Sequence, residues 1–174
     1  MTKNIFLIGM PSSGKSTLGK QLAKQLNYEF IDLDTRIEVA EGLKISEIFS
    51  LKGEDYFRNI ESQQLKKIQK DSQVVVATGG GVPCFFDNMD YIKETGISIF
   101  LDVEPEKLID RVKSSKKNER PLLDIENETL ENQVTELYHK RLATYKRADI
   151  IIEGDTDANN ILWILEAEFL RLKQ

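Results

Sequence analysis

The chain has 174 residues, 40% of them apolar and 30% charged, and its 24 basic against 29 acidic side chains leave a formal net charge of −5. That length suits one compact domain, residues 1–174, with a core that needs no staple, and the single cysteine, Cys84, can form no intrachain bridge. A sequence pI near 5.1 argues against broad nucleic-acid binding, which draws on clustered Lys and Arg. No apolar run approaches the roughly 18 residues of a membrane span. A soluble, cytoplasmic domain with neither a nucleic-acid nor a membrane partner is expected, so any anionic ligand must be met by local chemistry.

A first β-rich run, Asn4-Ile5-Phe6-Leu7-Ile8, leads into Gly9-Met10-Pro11-Ser12-Ser13-Gly14-Lys15-Ser16. This matches G-x-x-x-x-G-K-[ST], and Leu18, Leu22 and Leu26 give the following segment helical spacing, so the motif sits between strand and helix as it must. Its backbone NH groups and the helix start are suited to phosphate oxygens. Lys15 adds a point charge for the β and γ phosphates and Ser16 a hydroxyl ligand for Mg²⁺.

The second run, Glu29 to Asp32, ends in Asp32-Leu33-Asp34. At the carboxyl end of a parallel strand, beside the phosphate loop, these carboxylates stand where ligands bind. Asp32 suits indirect Mg²⁺ coordination, and Asp34 suits a substrate hydroxyl as acceptor or general base; its plain alternative is a helix N-cap. The insertion from Asp34 to Glu61 holds two or three short helical pieces punctuated by Gly42 and Gly53, and Phe57, Ile60, Leu65 and Ile68 continue with helical spacing. Arg58, four residues after Glu54, by itself reads as half of an exposed ion pair.

A third run, Gln73 to Ala77, precedes Gly79-Gly80-Gly81, a stretch of backbone with no side chains to keep a ligand away. A fourth, Ile97 to Leu101, precedes a polar, basic segment at 113–124 in which Pro121 stops helix propagation, and a mobile lid is expected there. Leu130, Val134 and Leu137 mark a further helix. It carries Arg141 in a basic cluster that by itself reads as a solvated face. A fifth run, Asp149 to Ile152, and a last helix with Ile161, Leu165 and Phe169 complete the chain; Trp163 is expected in the core and His139 in solvent. Continuous apolar strands alternating with helices predict a three-layer α/β/α fold around a five-stranded parallel sheet.

As a set, the phosphate loop at 9–17, Asp32-x-Asp34, Phe57-Arg58, Thr78 to Gly81, Arg120-Pro121-Leu122-Leu123 and Arg141-x-x-x-Tyr145 resemble shikimate kinase, a P-loop small-metabolite kinase family, over essentially the whole chain. The resemblance implies transfer of the γ-phosphoryl of ATP to the 3-hydroxyl of shikimate, in aromatic amino acid biosynthesis through chorismate, by a monomer using Mg²⁺. It implies that Gly14, Lys15, Ser16 and Thr17 hold the ATP phosphates, with Ser16 and Asp32 at the metal. Asp34 would take the acceptor proton, Arg58 and Arg141 would clamp the substrate carboxylate, and Gly80 and Gly81 would contact its oxygens. Arg120 would descend with the lid onto the transferred phosphate, while Arg111, with Lys113 as a competing position, and Asp155 would flank the adenine. The alternatives are a kinase for another polyhydroxy acid such as gluconate and a non-catalytic nucleotide-binding switch.

Overall fold

A computed structural model describes residues 3–114 and 129–171, with the side chains of the last three left aside. Five strands form one sheet: β1 (Asn4–Ile8), β2 (Glu29–Asp32), β3 (Val74–Ala77), β4 (Gly96–Asp102) and β5 (Ile150–Glu153), in the order β2-β3-β1-β4-β5. All four pairings are parallel, with Phe6 opposite Val76 and Ser98, and Phe100 opposite Ile151. The five sequence runs are these strands, the first two with the same ends and the other three differing by one residue at one or both ends.

Every residue of β1 is buried, because it is central and covered on both faces. Successive side chains alternate faces. Phe6 and Ile8 join Val76, Phe100, Met89 and Tyr145 in one core, while Ile5 and Leu7 join Val75, Ile99, Leu22 and Ile161 in the other. Helices α1 (Lys15–Leu26) and α7 (Ala158–Arg171) cover the second face; α4 (Asn88–Thr95), α5 (Pro105–Ser114) and α6 (Leu130–Tyr145) lie on the first. No helix among the described residues is long and apolar enough to cross a membrane.

Between β2 and β3 the chain builds α2 (Leu33–Glu41) and α3 (Ile45–Leu65), which share a small core of Ile37, Ile48, Phe57 and Ile60. Gly42 ends α2, and α3 bends at Gly53. The N-cap role, the plain alternative for Asp34, falls to Asp32, whose side chain accepts from the amides of Asp34 and Thr35. Asp34 lies in the first turn of α2 and is not its cap. Trp163 is 69% exposed and not in the core: Ile161 and Leu165 face inward, and position 163, half a turn from each, faces solvent.

The chain leaves β1 for β2 through a helix on one face and passes from β3 to β4 through a helix on the other, so the crossovers change sides about β1. A crevice opens at the carboxyl ends of strands at such a point. Asp32, Thr78 and the loop after β1 all lie there.

Candidate active site

A cavity of about 500 Å³ occupies this crevice, and its lining divides into two ends. The first is the phosphate loop, from which Gly14, Lys15, Ser16 and Thr17 all line the cavity. Gly14 takes φ 98°, a left-handed conformation that favours glycine, and serves as the N-cap of α1 with no side-chain cap bond. The amides opening α1 are thereby presented to the cavity together with the positive end of its dipole. Lys15 reaches back over the loop, its Nζ donating to the carbonyls of Gly9 (2.9 Å) and Met10 (2.7 Å). The Ser16 hydroxyl donates to Asp32 Oδ2 at 2.6 Å, linking the starts of α1 and α2.

That hydroxyl and carboxylate are hard oxygen donors of the kind Mg²⁺ takes one or two at a time, with the rest of its octahedron filled by phosphates and water. Among the described residues no group of three His, Cys, Asp or Glu side chains could hold a metal unaided. The donor set therefore fits a metal that arrives with a nucleotide.

The second end is lined by Asp34, Phe49, Phe57, Arg58, Glu61, Gly81 and Arg141. Both arginines are buried, 3% and 5% exposed, so Arg58 is not part of an exposed surface pair and Arg141 is not on a solvated face. Arg58 keeps the expected pair with Glu54, Nη2 to Oε1 at 2.8 Å, but its Nη1 also meets the buried Glu61 at 2.6 Å. The guanidinium lies over the Phe85 ring, 4.3 Å from its centre. A planar cation held on its edges by carboxylates and on one face by an aromatic ring has a fixed orientation. Arg141 Nη1 is buried and, among the described residues, meets no hydrogen-bond acceptor. A buried cationic donor in that state costs free energy until an acceptor arrives.

The glycine run explains itself at this end. A Cβ at Gly79 would stand 2.7 Å from Asp34 Oδ1 and 2.9 Å from Glu61 Oε1; one at Gly80 would stand 3.0 Å from Arg141 Nη1; one at Gly81 would collide with the Arg58 guanidinium. The missing side chains make room for charged groups, two at Gly79 and one each at Gly80 and Gly81. Gly81 lines the cavity, and Gly80 sits beside it between Pro11 and Arg141.

Glu61 was not anticipated from sequence, where it reads only as the end of an insertion. Burial pushes its carboxyl up to about 7, with Arg58 opposing the rise and Asp34 adding to it. Its spacing of three from Arg58 was the available signal. Arg111 lines the cavity, donating to Ser12 O (3.0 Å) and pairing with Asp155 (2.7 Å), so Asp155 stands behind it and not in the wall. The competing Lys113 turns away to Glu131. Arg120 and nearly all of the expected lid lie outside the described residues. Burial raises the Cys84 thiol above its ordinary range, so no activated thiolate adjoins the site.

The family model described as shikimate kinase matches residues 11–168. The shikimate kinase of Clostridium botulinum (strain 657 / Type Ba4) is 42% identical over 165 residues, which are 95% of each chain. Among solved structures, the shikimate kinase from Acinetobacter baumannii in complex with shikimate superposes with a TM-score of 0.89 at 32% identity, covering 97% of this chain and 95% of the other. That from Aquifex aeolicus gives 0.82 at 35%, covering 96% and 98%.

Proposed function

The chain belongs to the shikimate kinase family, and from that premise we propose how its cavity moves the γ-phosphoryl group of ATP to the 3-hydroxyl of shikimate. The reading is carried by one observation: two buried guanidinium groups and a carboxylate line the same cavity as the phosphate loop, opposite its open helix start. A polyhydroxy acid fits such a space, with its carboxylate at the arginines and a hydroxyl at Asp34.

Arg141 supplies the substrate carboxylate with a donor lacking any other acceptor among the described residues, and Arg58, held by Glu54, Glu61 and Phe85, fixes its angle. Gly81, beside Arg58, offers backbone in place of a side chain. With the ring so placed, Asp34 accepts the proton of the attacking hydroxyl as its oxygen bonds to phosphorus and the bond to the β-phosphate oxygen breaks. Lys15 exchanges the Gly9 and Met10 carbonyls for the β and γ phosphates, and the amides opening α1, from Gly14 to Thr17, receive the phosphate oxygens. Ser16 and Asp32 would hold Mg²⁺, which when bound neutralises phosphate charge. Arg111, steadied by Asp155, flanks the nucleotide beyond Ser12. Arg120, proposed from the family pattern alone, meets the transferred group.

The test is acceptor-dependent ADP release over shikimate, gluconate and nucleoside monophosphates. Release with shikimate alone is expected. Release with gluconate instead would favour the other acceptor, and nucleotide binding with no turnover would favour the switch.

A further inference from the structure

Three successive carbonyls of the glycine run are held in two different ways. Gly79 O accepts from the amide of Val82 (3.1 Å) and Gly81 O from that of Cys84 (2.9 Å), both ordinary turn bonds within the segment. Gly80 O instead accepts from the Tyr145 hydroxyl at 2.6 Å, a side chain 65 residues away at the end of α6. Tyr145 is fully buried, with its ring 5.0 Å from that of Phe100 and its hydroxyl 3.9 Å from Met10 Sδ. The core thus fixes the ring, and the ring fixes the hydroxyl.

We propose that Tyr145 is a positioning residue of the acceptor site, a clamp on the Gly80 carbonyl that sets the direction of the Gly81 amide. The peptide joining Gly80 to Gly81 is planar, so its C=O and N–H point to opposite sides. Drawing the oxygen toward α6 turns the Gly81 N–H the other way, and Gly81 lines the cavity beside Arg58. A peptide between two glycines has no Cβ to resist rotation, so a turn bond on either side does not by itself determine its plane. The clamp does. Burial raises the phenol above its ordinary range, which keeps the hydroxyl protonated and a donor.

The arrangement has a second consequence. Arg141 lies one turn before Tyr145 on α6, and a Cβ at Gly80 would meet Arg141 Nη1 at 3.0 Å. One helix therefore supplies a cation for the substrate and the donor that orients the backbone next to it. A shift of α6 would move both together. Met10 and Pro11, which touch Tyr145 and Gly80, belong to the phosphate loop, so the clamp also joins the two ends of the cavity.

The inference rests on the assignment of the glycine run and Arg141 to the acceptor. Tyr145→Phe keeps the ring and its packing and removes only the hydroxyl. Its KM for shikimate is expected to rise about 10-fold, the loss of one oriented contact, with the KM for ATP changed less than about 2-fold and kcat falling less than KM rises. A variant that melts lower but keeps the parent KM for shikimate would overturn the proposal, since packing alone would then explain the residue. Arg141→Lys separates the two ways of failing. If it raises the KM for shikimate and Tyr145→Phe does not, the clamp is wrong and the acceptor site stands; if neither does, both are wrong.

Discussion

Replacing Arg141 by methionine should make the empty protein more stable and the enzyme much worse. The side chain is 5% exposed, and its Nη1 is a buried donor with no acceptor among the described residues. Such a group costs about 1–3 kcal/mol in the folded state, and methionine fills a similar length of space without charge or donor. The opposing effects are the loss of its hydrogen bond with the Tyr145 hydroxyl, worth about 0.5–1.5 kcal/mol net, and of its attraction for Glu61, on whose carboxyl it is the weakest of the named influences. Desolvation therefore wins, and the melting temperature should rise by roughly 2–4 °C for each kcal/mol recovered. Shikimate should raise the melting temperature of the parent and not of the variant, while kcat/KM for shikimate falls by roughly two to three orders of magnitude, as for a truncated buried charge pair. Differential scanning calorimetry with and without shikimate, beside steady-state kinetics, reads all of this. A variant that melts lower and is still stabilised by shikimate would mean that Arg141 is a satisfied structural cation and not a substrate ligand.

Asp34→Asn keeps the shape and loses the proton acceptor, so kcat should fall by about 100-fold or more in the steady state with the fold intact; a preserved kcat would remove Asp34 from the chemical step. Glu61, raised by burial to about 7 from an unfolded value near 4.5, binds more protons folded than unfolded across that interval. Stability should therefore decline as pH rises from about 4.5 to 7, and Glu61→Gln should flatten that decline in urea titrations at several pH values; an equal slope in the variant would assign it to other groups. Arg120→Ala should lower kcat by roughly 100- to 1000-fold with a smaller change in the KM for shikimate, whereas Lys116→Ala and Lys117→Ala should do little. Equal, small effects at all three positions in the same assay would return the segment to a solvated loop.

The strands and the phosphate loop were legible because their signals are local: continuous β-branched runs and a fixed spacing of glycine, lysine and serine. The carboxylates of Asp32 and Asp34 could be placed because a strand end fixes them relative to that loop. What local pattern could not convey was burial. Arg58 and Arg141 sit in charged surroundings in sequence, and only the packing of α3 and α6 against the glycine run removes them from water. Phe85 and Tyr145 act on groups brought to them by tertiary folding, and nothing nearby in the chain announces their partners; Glu61 stands three residues from its partner Arg58, but its burial comes from tertiary packing. Trp163 is a different matter: the helical period that placed Ile161 and Leu165 inward already put it outward, and its apolar character outweighed its position.

If the cavity presents one hydroxyl of a carboxylate-anchored ring to the phosphate loop, shikimate is phosphorylated at a single position. The product formed from shikimate and ATP, followed by proton–phosphorus correlation in NMR, should show a single phosphate coupled to the proton on carbon 3. Coupling at carbon 4 or 5, or a mixture of products, would mean that Arg58 and Arg141 do not set the ring as described.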